Sequence, residues 1–157
     1  MREPLGLETL RQNDRSSVCP SCGAKGRRVA SPALKGVLTN EAMRRLESVS
    51  YFFCRTPACS TIYFSASPSI FDRTDLRVPV WEKEPPGTRT ICYCFGENES
   101  VIRDEIARSG SSTAAERIRT HIRANRCACE WRNPRGECCL GDVLMIIGRE
   151  LRSRRGG

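Results

Sequence analysis

Ten cysteines, and above all their spacing, constrain this chain more than any other feature. Cys19 and Cys22 form a C-x-x-C pair, and Cys54 and Cys59 are separated by four residues. Cys92 and Cys94 form a C-x-C pair, Cys127 and Cys129 another, and Cys138 and Cys139 are adjacent. The stretch Met1–Arg15 is polar and charged and lacks the apolar run of a secretory signal, so the expected setting is cytoplasmic. Thiols stay reduced there, and paired cysteines point to metal more often than to disulfides. Val143–Ile147 is only five apolar residues long, far short of a membrane span, so no membrane insertion is expected. Aromatic residues make up 6% of the chain. Two small modules with so few large apolar groups would each need a staple, and metal is the staple this spacing offers.

The first pair sits in Val18-Cys19-Pro20-Ser21-Cys22-Gly23. A two-residue spacer lets both sulfurs reach one ion while Pro20 stiffens the turn and Gly23 permits a left-handed residue. The second pair, Cys54 and Cys59, is flanked by Tyr51-Phe52-Phe53 and Thr61-Ile62-Tyr63-Phe64. Aromatic and β-branched flanks predict a β-hairpin with the pair at its tip. Between the knuckles, Leu34, Val37, Leu38, Met43 and Leu46 recur at helical spacing, and Thr39 is placed to cap a helix over Asn40–Glu47. Val78–Trp81 is read as a third strand, at an edge because of Pro79. Cys19, Cys22, Cys54 and Cys59 together make a zinc-ribbon-like set of four thiolates, suited to one tetrahedral, structural Zn²⁺. A redox dithiol shares the C-x-x-C spacing, but no thioredoxin-like βαβ pattern surrounds Cys19.

Glu82–Thr90, with two prolines and a glycine among charges, reads as a linker. Beyond it, Asn98 is placed to cap a helix carrying Val101, Ile102 and Ile106. Ser109–Ser112 ends that helix. Thr113-Ala114-Ala115-Glu116 has the form of a capping box opening a second helix to about Ala124, with Ile118 and Ile122 inward. A third helix is expected over Asp142–Leu151, with Val143, Ile146, Ile147 and Leu151 as burial candidates. In an extended segment, Cys92 and Cys94 would project to the same side. They would then need two further thiolates from Cys127, Cys129, Cys138 and Cys139, and four cysteines suit a 2Fe–2S cluster. A Rieske-type centre needs two histidines. The chain has one, His121, expected as a surface or packing residue.

Ile91-Cys92-Tyr93-Cys94-Phe95, two helices, a second cysteine group and a last helix resemble the bacterioferritin-associated ferredoxins. Adding Cys127-Ala128-Cys129-Glu130, Asn133-Pro134, Gly136, Cys138-Cys139-Leu140-Gly141 and the upstream Ile62-Tyr63-Phe64 makes the chain resemble the N-terminal domain of CopZ-type copper chaperones. The resemblance implies one 2Fe–2S cluster and one separate Zn²⁺. It implies Cys92, Cys94, Cys127 and Cys139 as cluster ligands. Cys127 follows Ala124-Asn125-Arg126 at the end of helix two, and Cys139 precedes Leu140 at a helix start, where backbone N–H groups favour negative charge. Eleven residues separate Cys127 from Cys139, far more than in the ferredoxins, so Cys129 and Cys138 stay open as alternatives. The M-x-C-x-x-C copper loop has no counterpart here, and the C-terminal copper-binding domain is expected to be lacking.

The expected architecture is α+β: a flexible arm (1–17), a zinc-ribbon-like β module (18–85), a small helix-turn-helix-like module carrying the 2Fe–2S cluster (86–152) and a basic tail (153–157). The expected function is a non-enzymatic iron–sulfur and zinc redox metalloprotein. It would be a one-electron carrier or accessory metallochaperone in copper or mercury handling. Its partner would be a redox protein or a metal-handling chaperone, transporter or reductase. No hydrolytic dyad or glycine-rich phosphate loop is present. With 26 basic and 18 acidic residues the chain carries a net charge of +8, and its arginines gather late. A zinc-ribbon regulator or nucleic-acid adaptor is therefore the alternative, although nucleic acid is not the expected partner. A purely structural two-zinc module is the third reading.

Overall fold

The computed structural model describes residues 17–67 and 69–156. The flexible arm expected over 1–17 lies, except for Ser17, outside the described residues, as does Gly157 of the basic tail. The chain divides into two compact units, Met1–Lys83 and Glu84–Gly157.

The first unit is built on a four-stranded antiparallel sheet, β1 (Arg27–Val29), β2 (Tyr51–Phe53), β3 (Thr61–Ser65) and β4 (Ile70–Asp72), in the order β1-β2-β3-β4. The hairpin expected from the aromatic flanks is β2–β3, with Phe53 opposite Tyr63 and Phe52 opposite Phe64. Its side chains serve two purposes. Tyr51, Phe53, Ile62, Tyr63 and Phe71 join Leu34, Val37 and Leu38 in the main core. Phe52 and Phe64 stack at 5.7 Å and pack against Cys19, Cys54 and Cys59. Burying an aromatic side chain contributes roughly 1.5–3 kcal/mol, so the hairpin anchors the core and the cysteine cluster together.

Two helices form the connection between β1 and β2. Helix α1 (Ser31–Val37) buries Ala33, Leu34 and Val37. Helix α2 (Asn40–Met43) is capped as expected, with Thr39 Oγ1 accepting from Ala42 N, but it is a single turn and does not reach Glu47. The expected strand at Val78–Trp81 is absent. Pro79 has no N–H to give a ladder, and Trp81–Lys83 instead forms a 3₁₀ turn with Trp81 and Lys83 buried. The outer strands are β1 and β4, each three residues long with a single buried side chain. So short a segment carries no periodic signal.

The second unit is helical: α3 (Glu99–Ser109), α4 (Ala114–Arg123), α5 (Cys129–Arg132) and α6 (Leu140–Arg155). Both α3 and α4 pack on α6, through Ile102, Ile106, Ile118, Val143 and Ile146, all buried. Asn98 caps α3 by accepting from Val101 N at 3.0 Å, and Gly110, at φ 81°, ends it in the left-handed conformation. The capping box expected at Thr113 does not form. Thr113 N donates to Glu105 at 2.9 Å, its hydroxyl accepts from Arg117, and Glu116 pairs with Arg119. Ile122 is 39% exposed rather than inward, because α4 buries only its first two turns. Among the described residues no helix is long and apolar enough to cross a membrane.

Candidate metal centres

Two local structures deliver the four cysteines of the first unit. At Cys19, Gly23 takes φ 76°, so that Gly23 N bonds Cys19 O at 2.9 Å while Cys19 N bonds Ala24 O at 2.8 Å. This closed turn brings both sulfurs into one group, with Cys19 buried and Cys22 exposed. At the other end, Cys54 N is held by Ile62 O at 2.9 Å and Cys59 N by Thr56 O at 3.1 Å, so the strands of the hairpin fix the second pair. The loops meet through Ser21 and Thr61, whose hydroxyls lie 2.7 Å apart. Gly26 is tightly placed too: a Cβ there would lie 2.5 Å from the Phe64 ring.

The sulfurs of Cys19, Cys22, Cys54 and Cys59 all fall within 4.8 Å of one another. Cys19 and Cys59 are 3.9 Å apart, and Cys22 and Cys54 are 3.6 Å apart. A tetrahedron of 2.3 Å Zn–S bonds has edges of about 3.8 Å, and both of these sulfur pairs stand close to that edge length. Thr56 Oγ1, 3.2 Å from the Cys22 sulfur, and the Ala24 N–H lower the Cys22 thiol to about 6. Burial pushes Cys54 up to about 12. A metal ion would supply the positive charge that lets all four ionise.

Sequence reasoning missed one neighbour of this centre. Lys83, in the expected linker, is buried, and its Nζ donates to Thr56 O at 2.8 Å and Cys59 O at 3.0 Å. Nothing in a charged, proline-rich run marks it.

The second group gathers around a turn rather than an extended segment. Tyr93, Cys94 and Phe95 lie in a turn closed by Gly96, at φ 74°, whose N–H bonds Cys92 O at 2.9 Å. Ion pairs hold the flanks. Arg117 donates from Nε to Glu97 at 2.6 Å and also reaches Glu105. Arg89 pairs with Glu99, both nearly buried. The sulfurs of Cys94, Cys127 and Cys129 lie within 4.8 Å of one another, with Cys127 to Cys129 at 3.2 Å and Cys94 to Cys129 at 3.8 Å. Cys139 hydrogen-bonds both Cys92 and Cys129. It caps α6, the helix start expected for it.

Of the four residues expected as cluster ligands, Cys92 and Cys139 are buried, and Cys94 and Cys127 are half-buried. Cys129, one of the two alternatives, is buried at the centre of the group. Hydrogen bonds from Cys139 and then, against the effect of burial, from Cys127 and Cys94 lower it to about 5. A separate hydrogen bond with Cys139 lowers Cys92 to about 7. Cys138, the other alternative, is exposed. His121 stacks on Phe95, with ring centroids 3.8 Å apart and planes 11° apart, as a packing residue beside the turn.

Residues 16–77 match the CopZ-type family described as a zinc binding domain. The chain is 27% identical over 121 residues to the copper chaperone CopZ of Archaeoglobus fulgidus, an alignment covering 77% of this chain and 57% of that relative. The chain therefore matches little more than half of that relative's length. Its fold matches the crystal structure of the N-terminal domain of A. fulgidus CopZ with a TM-score of 0.67 at 21% identity, covering 82% of this chain and 96% of the other. The family match falls on the unit in which the four sulfurs gather, so that unit carries a zinc-binding domain with a cysteine group able to hold the metal.

Proposed function

We propose that the chain is a non-enzymatic, two-centre metalloprotein, with a structural zinc in the first unit and a 2Fe–2S cluster in the second, acting in copper or mercury handling. The observation that carries the cluster is the gathering of the Cys94, Cys127 and Cys129 sulfurs within 4.8 Å of one another, with Cys92 and Cys139 beside them and no histidine among them. An all-cysteine set of at least four donors suits 2Fe–2S ligation, and a cluster bound there would supply one-electron redox chemistry. Cys127 and Cys129 compete for one place. Burial, and contact with Cys94 and Cys139 together, favour Cys129. The ligand set we assign is therefore Cys92, Cys94, Cys129 and Cys139, with Cys127 as a neighbouring thiol. Cys139 adds the N-terminus of a 16-residue helix, whose dipole favours an anionic centre.

The name of the A. fulgidus relative, a copper chaperone, supports a metallochaperone setting. The partner we propose is a metal-handling chaperone, transporter or reductase in the cytoplasm, where the thiols stay reduced. The test is anaerobic purification or reconstitution with iron and sulfide, followed by metal and sulfide analysis and a visible spectrum. Two irons, two sulfides and one zinc per chain are expected, and a lack of iron and sulfide after reconstitution would falsify the cluster. One observation favours a second reading. Cys94 and Cys129 stand 3.8 Å apart, the edge of a single-ion tetrahedron, so a second zinc would give a colourless chain with two zincs.

A further inference from the structure

A buried ammonium is costly unless something anionic compensates it. Lys83 is 4% exposed, and among the described residues its Nζ is satisfied by two neutral carbonyls, those of Thr56 and Cys59. Its position is fixed from both sides: Lys83 N bonds Val80 O at 2.9 Å, and Lys83 O accepts from Arg73. The two carbonyls belong to the loop that carries the second cysteine pair of the zinc site. Four thiolates around Zn²⁺ leave a net charge of −2.

We infer that Lys83 is the built-in counter-ion of the tetrathiolate centre, a positioning residue that sets how tightly the zinc is held while binding no metal itself. The inference rests on the zinc reading of the first centre. A neutral donor would hold the two carbonyls without the cost of burying a charge, so the charge itself has a task. Lys83 meets it by offsetting half of the −2 charge while its N–H groups brace the Cys54–Cys59 loop from behind. The residue lies beyond the segment 16–77 that matches the zinc-binding family, so this chain's zinc domain extends through the 3₁₀ turn Trp81–Lys83.

The test uses the full chain, loaded with zinc, in four forms: wild type, K83M, K83Q and K83R. Zinc release to a chromogenic chelator is followed at neutral pH. K83M is expected to release zinc about tenfold faster, equivalent to about 1.4 kcal/mol. K83Q, which keeps a donor for the carbonyls but no charge, should resemble K83M. K83R, which keeps the charge, should resemble wild type. In the Co²⁺-substituted protein, the thiolate-to-metal charge-transfer band should move to longer wavelength in K83M and K83Q, because losing a nearby cation raises the energy of the sulfur electrons. Wild-type release in K83M or K83Q overturns the assignment. Zinc loss in K83R as severe as in K83M overturns it too, by tracing the effect to shape rather than charge. A wild-type chain that binds no zinc at Cys19, Cys22, Cys54 and Cys59 removes the zinc reading itself, a result distinct from either.

Discussion

The two cysteine centres begin with the same turn and end differently. In each, a glycine in the left-handed conformation four residues after the first cysteine donates its N–H to that cysteine's carbonyl: Gly23 to Cys19, and Gly96 to Cys92. The second sulfur stands three residues on in the first case and two in the second. The first turn faces a hairpin tip whose strands are locked in register, and four thiols meet at the spacing of one metal tetrahedron. The second faces a short helix and the start of a long one, and Cys94, Cys127 and Cys129 gather there with Cys92 and Cys139 beside them, one thiol more than the proposed cluster would take. A sheet register fixes the distance between two loop ends, so a closed site forms with no spare ligand. Helix termini joined by loops fix their donors less strictly, and under the proposed cluster the second centre has a thiol to spare.

The most forceful way to break this comparison is to remove one ligand from the site without spares. Cys59→Ser is expected to abolish zinc binding and unfold the first unit, since structural zinc contributes on the order of 10 kcal/mol in small domains. Iron in the second unit should persist, as read by metal analysis with limited proteolysis. Retained zinc in that variant would end the distinction between a closed and an over-provided site. In the second unit, Cys129→Ser should lose the cluster's visible absorbance, whereas Cys127→Ser and Cys138→Ser should keep most of it. Equal losses in Cys127→Ser and Cys129→Ser would redraw the ligand set.

Smaller effects test the scaffolds. Glu99→Gln leaves the Arg89 guanidinium, 8% exposed, without its carboxylate and should cost the second unit about 3–5 kcal/mol in thermal or denaturant unfolding. Burial pushes the Glu99 carboxyl up, but hydrogen bonds from Arg89 and the Gly87 and Arg89 N–H groups outweigh it, so the folded-state pKa is lowered. The resulting stabilisation is fully present above the ordinary carboxylate value of about 4.3 and is lost as pH falls through the folded value. Wild type should therefore lose its advantage over Glu99→Gln in strong acid. An advantage that does not change with pH would show that the pair contributes through shape. Gly26→Ala places a methyl group against Phe64 and should cost the first unit about 1–3 kcal/mol. Its zinc should be released faster than in wild type, with no change in the second unit.

Much of the first unit was legible because its signals are local. Cysteine pairs, aromatic flanks and a left-handed glycine specify a knuckle and a hairpin within a few residues each. Strands β1 and β4 were not legible, because three residues with one buried side chain have no period to read. Lys83 was hidden for a different reason. Its partners lie 24 and 27 residues earlier in the chain, and a lysine among prolines and glutamates looks like solvated linker. In the second unit, Asn98 and Gly110 bounded α3 as expected. Thr113 was misread because Glu105, on the preceding helix, takes the backbone N–H, while Arg117 takes the hydroxyl. The expectation of an extended Cys92–Cys94 segment failed because Gly96 closes a turn that spacing alone does not reveal. Ala124-Asn125-Arg126 ahead of Cys127 favours that residue in the sequence, whereas the burial and contacts that favour Cys129 exist only in the folded chain.

Cys22 is the exposed member of an otherwise buried quartet. A chelator or an incoming thiol would meet the Cys22 sulfur first, so ligand exchange would begin by displacing it and would follow an associative course. The rate would then rise with the concentration of the competitor, while the three sealed corners hold the ion until the new bond has formed. An ion held in this way is handed over or kept, and is seldom shed into water.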